Sequence, residues 1–306
     1  MKFRRWAILL LFFAFGCSAL REQNVTSKEQ SVKSEKEVFF VSVPIAKFSS
    51  FECPCVNIEI EGKEFLAKLD LGFQGDLAIA KEPLTRISAK TFVKEKSMYG
   101  VRGKEYKKKL YRIPKAKIGV MAFSPLMLQE ESEEFLKDAQ FLQNEEDLSA
   151  REEEGALGWE LFYNANLLID MKNSQIAFCD SLDTLKERGY AVERFTKVPL
   201  LLERGLVEFE AETPNGPLRC MLDTGSTWNI FNIEFEEQNS SVWEPENILK
   251  FLFFKIGKVD FGPISFHQLP IRVPIPIAAI LGVEFFKTHL VFLDFVEKTA
   301  YFESLE

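Results

Sequence analysis

Apolar and polar residues alternate in short runs along this chain, and the runs come in two matching series. VFFVSVPI (38–45), VNIEIEG (56–62) and EFLAKLDL (64–71) have the β-branched and aromatic content and partial period-two alternation of half-buried strands. Glu61-Gly62-Lys63 between the last two predicts a hairpin turn. VPLLLE (198–203), VEFEAETP (207–214) and PLRCMLDT (217–224) repeat the order, with Pro214-Asn215-Gly216-Pro217 as the turn. Counting back from the aspartate that closes each series, Val56 is 14 residues away and Val207 is 16. The difference is expected in the turn, where insertions cost least. Between the series, Ser181 to Lys197 reads as a short helix and linker.

The repeat continues past the strands. Leu69-Asp70-Leu71-Gly72 precedes Asp76-Leu77-Ala78-Ile79, while Met221-Leu222-Asp223-Thr224-Gly225-Ser226 precedes Asn229-Ile230-Phe231. Asp70 matches Asp223 and Asp76 matches Asn229 at one offset, 153. Each copy is followed by an apolar-Leu-Gly triplet, Ala156-Leu157-Gly158 and Ile280-Leu281-Gly282, and from there 156–178 aligns with 280–302 without a gap. The offset has now fallen to 124, so the first half carries 29 additional residues between its two motifs. Gln129 to Glu154, rich in Glu and with Phe135, Leu136, Ala139 and Leu142 at helical spacing, is the expected insertion, read as an amphipathic helix on the surface.

Residues 1–17 read as a targeting segment. Lys2, Arg4 and Arg5 precede an apolar run from Trp6 to Phe15, which has the length of a signal-peptide core and is short for a membrane span. Ala14-Phe15-Gly16-Cys17 resembles a bacterial lipobox, in which Cys17 would be lipidated and hold the protein to a membrane; an ordinary cut near Ala19 would instead release it. Residues 18–37 are polar and charged, a flexible tether. Either reading exports the protein, to the periplasmic or cell-surface side if anchored. Export permits disulfides among Cys53, Cys55, Cys179 and Cys220, and buried free thiols are the equal alternative.

Length and composition narrow the function classes. A chain of 306 residues can bury two cores, and its 30 Phe against 6 Tyr and 4 Trp point to large apolar interiors. The net charge is −8, with the basic residues of the N-terminus included, so no basic face compensates for phosphate repulsion and no nucleic-acid partner is expected. No phosphate-binding glycine loop, serine elbow or CxxC pair occurs. His267 and His289 have no metal-ligand spacing and receive no role; no metal or cofactor is expected.

These motifs together resemble the pepsin/retropepsin superfamily of aspartic proteases in its single-chain, bilobed form. The resemblance covers 38–306 and implies a mainly β fold, a two-lobed acid-protease double β-barrel with a few helices. It implies an N-terminal lobe at 38–180, with the insertion at about 129–154, a linker at 181–197 and a C-terminal lobe at 198–306. It also implies that Asp70 and Asp223 meet as a catalytic pair, supported by Gly72, Thr224, Gly225, Ser226, Gly158 and Gly282. Met98-Tyr99-Gly100-Val101-Arg102-Gly103 would be the flap, with Tyr99 and Gly100 at its turn.

The chemistry of such a pair explains the residue types. Two carboxyls within hydrogen-bond distance hold one proton between them and titrate as a unit. The ionised member takes a proton from water and the protonated one donates to the scissile carbonyl. Leu71 stands where the second loop has Thr224, and Phe73 where it has Ser226. The Ser226 hydroxyl, donating to Asp223, is therefore expected to leave Asp223 ionised and Asp70 protonated. Lys104, Lys107, Lys108, Lys109 and Arg112 are expected to form a solvated face.

The expected function is an exported, membrane-tethered, monomeric aspartic endopeptidase acting on a peptide or protein substrate. An alternative keeps the fold without the chemistry: an inactive lipoprotein that binds peptides or a partner protein. A dimer of second halves, pairing two copies of Asp223, and a surface lipoprotein with no pocket are the remaining readings.

Overall fold

The alternating segments form strands, and the chain is mainly β with few helices. The computed structural model describes residues 39–49, 52–99, 103–132, 134, 152–234, 248–273 and 275–305. Cys17, the targeting segment and the tether lie outside these residues, as do Gly100 to Arg102 and most of the expected insertion. Val38–Glu306 forms one contact unit, in which the strands among the described residues make sheets of ten, eight and six.

The ten-stranded sheet belongs to the first half and is built around a hairpin of Pro54–Ile60 with Lys63–Asp70, Ile60 facing Lys63. Glu61 and Gly62 make the turn with φ of 54° and 74°, the left-handed backbone that tight hairpin turns require. The eight-stranded sheet repeats this with Glu208–Thr213 and Gly216–Leu222, Thr213 facing Gly216. Val56 faces Ala67 and Phe209 faces Cys220, so Phe209 is the counterpart of Val56. The two turns are therefore equal in length, which corrects the expected two-residue insertion. The valine at 207 precedes its strand, and the matching of two valines by residue type misplaced the register.

Each aspartate sits where a strand ends and the chain crosses over. Gly155–Gly158 lies parallel to Lys63–Asp70 and antiparallel to Leu77–Ala80, so one strand is clasped between the two arms of the first aspartate loop. Ala279–Leu281 is clasped in the same way between Gly216–Leu222 and Ile230–Asn232. A strand with neighbours on both sides and side chains buried on both faces must be apolar throughout. That is why Ala-Leu-Gly and Ile-Leu-Gly contain no alternation.

The six-stranded sheet joins the halves. Its order is Phe40–Pro44, Gln175–Cys179, Asn166–Asp170, His289–Asp294, Thr299–Ser304 and Thr196–Pro199. The strand Phe40–Pro44 thus pairs with Gln175–Cys179, outside the ten-stranded sheet. Thr196–Pro199 begins within the expected linker, which is shortened to the helix Leu182–Glu187 and a 3-10 turn at Val192–Arg194. The Ser181 hydroxyl accepts from the Thr184 amide at 3.3 Å and caps that helix.

Two further expectations change, and one open alternative is decided. Gln129 to Glu131 end the strand Leu126–Glu131 and belong to the sheet, not to an insertion. Lys108 is buried, because period-two alternation in Glu105–Ile113 turns it inward while Lys107 and Lys109 face out. Cys53, Cys55, Cys179 and Cys220 are free, buried thiols; burial pushes the first three up to about 12 and raises Cys220 further, so all are protonated. Much of the phenylalanine is interior: Phe65, Phe178, Phe209, Phe266 and Phe302 are fully buried, and Phe209 meets Phe302 with ring centres 4.8 Å apart.

Candidate functional site

The two aspartate loops meet, and each places its glycine beneath the other's carboxyl. A methyl group on Gly72 would lie 2.5 Å from Asp223 Oδ2, and one on Gly225 would overlap the Asp70 carboxyl. The close approach admits only glycine at these two positions. The Gly72 amide donates to Asp223 Oδ1 at 3.2 Å and the Gly225 amide donates to the same oxygen at 2.8 Å. Asp70 and Asp223 also share a side-chain hydrogen bond. The sequence-predicted pair is therefore brought together across 153 residues of chain.

Thr224 ties the loops beneath the pair. It is fully buried; its hydroxyl accepts from the Leu71 amide at 3.2 Å and donates to the Leu69 carbonyl at 2.8 Å. Leu71, also fully buried, has no hydroxyl with which to return the bond, so the brace runs one way. Ser226 donates to the Trp228 carbonyl at 2.9 Å, which corrects its expected role as a donor to Asp223. The Ser226 amide closes its own loop on the Asp223 carbonyl at 3.2 Å, and Phe73 does the same to Asp70 at 3.1 Å.

Gly158 and Gly282 seal the loops from behind. A methyl group on Gly158 would collide with the carbonyls of Phe73 and Gly75, and one on Gly282 with those of Ser226 and Trp228. These are the carbonyls three and five residues after each aspartate, so the two halves use the same contact. Asp76 and Asn229, matched in the repeat without a role, lock the clasp. The Asp76 carbonyl accepts from the Gly158 amide at 3.0 Å and its carboxylate from the Met127 amide at 2.8 Å. Asn229 Oδ1 accepts from the Gly282 amide at 3.0 Å. Burial raises Asp76 above the usual carboxylate range, and the Met127 amide partly offsets it.

Sequence reasoning missed Lys68. Its ammonium lies 2.9 Å from Asp70 Oδ2, with both side chains largely buried. The signal was present: residues two apart on a strand share a face. Asp223 is raised to about 7, first by burial, then by the charge of Asp70; the Lys68 ammonium and the Gly225 amide pull the other way. The surroundings differ from the expected ones: the cation lies against Asp70, and the Ser226 hydroxyl is turned away from Asp223.

Tyr99 ends the exposed strand Thr91–Tyr99, which pairs with Glu105–Ile113 as a hairpin. Gly103 at its tip, φ 76°, lies so close to Arg272 that a methyl group there would be 2.7 Å from the Arg272 carbonyl. The tip therefore reaches the second half; Gly100 lies outside the described residues. Trp159 adds another tie between the halves, donating to the Gly205 carbonyl at 3.2 Å and stacking on Phe295 at 6.0 Å. His267 stacks on Trp228 at 4.7 Å and His289 on Phe285 at 4.1 Å. Among the described residues no group of three or more His, Cys, Asp or Glu side chains could hold a metal ion.

No protein-family model matches the chain, and no curated protein matches it. A solved structure that does is the crystal structure of Basic 7S globulin from soybean, at TM-score 0.56 and 10% identity, covering 88% of this chain and 96% of that one. Likeness at this identity is one of fold alone. The membership of the pepsin/retropepsin superfamily that the loops implied is corrected accordingly: no family model or curated relative carries it. Short loops and an apolar-Leu-Gly triplet meet local steric demands and do not by themselves establish descent.

Proposed function

We propose that Asp70 and Asp223 form a water-activating dyad that hydrolyses peptide bonds, in a chain whose halves form two lobes of the acid-protease kind of double β-barrel. The observation that carries this is the reciprocal seating of each carboxyl over the other loop's glycine. A pair at hydrogen-bond distance retains one proton, which gives a base and an acid on either side of a bound water. The ionised carboxylate takes a proton from the water as its oxygen attacks the amide carbon. The protonated carboxyl donates to the carbonyl oxygen, giving a neutral gem-diol. Collapse breaks the C–N bond, the amine leaves with the proton first taken from water, and the diol returns its proton to the second carboxylate. The hairpin tip at Gly103 supports a cover over a peptide.

The second reading, a module that binds peptides without cleaving them, is favoured by Leu71, which leaves the brace between the loops one-sided. The full-length chain, assayed against a diverse peptide library from pH 3 to pH 8, separates the two. Cleavage abolished by both Asp70→Asn and Asp223→Asn supports the dyad. Absence of cleavage by folded wild-type protein, with peptide binding retained, selects the module. Cleavage surviving Asp70→Asn alone would instead require a dimer of second halves in place of a monomer.

For location, we infer export and tethering through a lipidated Cys17, with the basic and apolar N-terminal run as support. Mass spectrometry of the mature N-terminus tests it: a diacylglyceryl-modified Cys17 is expected, and an unmodified N-terminus near Ala19 would replace anchoring with secretion.

A further inference from the structure

Three of the departures from the twofold match around the aspartates bear on their chemistry. At an offset of 153, Leu71 corresponds to Thr224, Phe73 to Ser226 and Lys68 to Met221. The third is the one that brings charge. Met221 is buried and apolar, one strand position short of Leu222, and gives Asp223 no counter-ion. Lys68 occupies the same place in the first half and meets Asp70 Oδ2 at 2.9 Å, its side chain only 23% exposed. A lysine in so closed a position loses much of its hydration, and the carboxylate helps to offset that loss.

The other titratable groups around Lys68 do not change the sign of its effect. Cys55 faces it from the neighbouring strand, and Cys53 lies near Lys68, Asp70 and Asp223; both thiols are neutral. Glu153 and Lys47 act on Cys55 with opposite charges. Asp223 feels Lys68 as well, more weakly than it feels Asp70.

We propose that Lys68 is a positioning residue that assigns the order of protonation in the dyad, holding Asp70 as the carboxylate so that the shared proton resides on Asp223. This rests on the dyad reading for its consequence in catalysis, with Asp70 as the base and Asp223 as the acid. Its physical content is independent of that reading. A fixed positive charge beside the pair stabilises every less-protonated state of it, and Asp70 most because it is nearest. The singly protonated form then persists into more acidic solution than a symmetric pair allows. Lys68→Met places the second half's residue in the first and leaves both aspartates with an apolar neighbour at this position.

The test measures titration and turnover separately on the full-length chain. Carbon-13 labelling of aspartate carboxyls, with Asp70→Asn and Asp223→Asn used to assign the signals, follows the pair in wild type, Lys68→Met, Lys68→Gln and Lys68→Arg. The expected result is that the first protonation on acidification falls on Asp223 in wild type and Lys68→Arg. In Lys68→Met and Lys68→Gln the acidic step of the pair moves up by about one pH unit or more, and the proton is spread over both carboxyls. The acidic limb of the pH profile for peptide hydrolysis moves up with it in the neutral variants and stays in place in Lys68→Arg. Titration curves identical in wild type and both neutral variants would overturn the proposal, whether or not the protein cleaves peptides. A shifted titration in a protein that cleaves nothing would leave Lys68 in this role and remove the protease reading instead.

Discussion

Leu168 stands directly opposite Phe292 in the six-stranded sheet, and the two are each other's counterparts at the repeat offset of 124. Asn166–Asp170 and His289–Asp294 run antiparallel, so the repeat crosses itself at this pair and a local twofold axis passes between the two residues. Asp70 and Asp223, equivalent at the offset of 153, likewise meet across the two halves, as the Gly72 amide on Asp223 shows. The sheet that holds the halves together and the site that uses both of them are thus two consequences of one symmetry. The departures at 68, 71 and 73 are local and leave the backbone match intact.

The Thr224 hydroxyl bridges the two loops, and its counterpart Leu71 has none to return. Thr224→Val keeps the volume and removes both hydrogen bonds, leaving the buried Leu71 amide and Leu69 carbonyl to find other partners. The expected cost is about 1–3 kcal/mol, read as a lower urea midpoint at unchanged slope. An unchanged midpoint would show that the bridge contributes nothing to stability.

Gly158→Ala and Gly282→Ala are expected to lower stability and disturb the dyad together, because the added methyl meets backbone carbonyls that are part of the aspartate loops. Strain of about 1–3 kcal/mol follows from overpacking of this kind. Gly189→Ala is the control: its φ of 91° is unfavourable for alanine, but no atom lies within 4 Å of the new methyl. It should lose stability through backbone strain while leaving the aspartate titration untouched. If all three variants titrate as wild type, the clasp does not set the geometry of the pair.

Stability should fall as pH rises through the range between the ordinary aspartate value and about 7, where Asp223 loses its proton in the folded chain. The sign follows from proton counting. Over that range the folded state retains a proton that the unfolded chain has released, so unfolding releases a proton and is favoured by higher pH. Asp223→Asn has no proton to lose. Denaturant unfolding at pH 4, 6 and 8 should show the variant gaining on wild type between pH 4 and about 7 and by a constant margin above it. A margin independent of pH would mean that the carboxyl is not raised.

Glu208, 1% exposed, lies between Arg204 and Arg219; Arg219 Nε donates to its Oε2 at 3.0 Å and Arg204 Nε at 3.1 Å. Glu208→Ala leaves two partly buried cations without their acceptor and is expected to cost about 3 kcal/mol, toward the lower end for a broken buried pair, because both arginines retain access to water. Glu208→Gln should fall between wild type and Glu208→Ala. Calorimetric unfolding checks the order, and equal melting temperatures for the three would exclude a structural role for the cluster.

Much of this architecture is legible in the amino-acid sequence. Gly-containing turns and strand alternation gave the two hairpins, and the matched aspartates gave the two loops. The turn at Glu61-Gly62 was legible because left-handed backbone selects its residues. The register of the second hairpin was not. Val207 and Phe209 are both apolar and buried, and only the pairing of Phe209 with Cys220 distinguishes them. Lys108 departs from the solvated face expected of it because five basic residues in a short stretch look solvated as a set, whereas alternation sorts them individually.

The sequence by itself determined that this chain is a duplicated β protein with one aspartate at the end of a strand in each half. Those features depend on local patterns: period-two burial, glycine at turns and unbroken apolar runs in clasped strands. The tertiary structure alone decided which groups act on the aspartates. Thr224 bonds to Leu69 and Leu71 from across the molecule, and the Gly72 amide reaches Asp223. Lys68 is close to Asp70 in sequence, but whether its long side chain turned toward the carboxylate or out to water depended on the strands around it. Protonation follows burial and charge at distances of a few ångströms, and those distances exist only once residues far apart in the chain have been packed together.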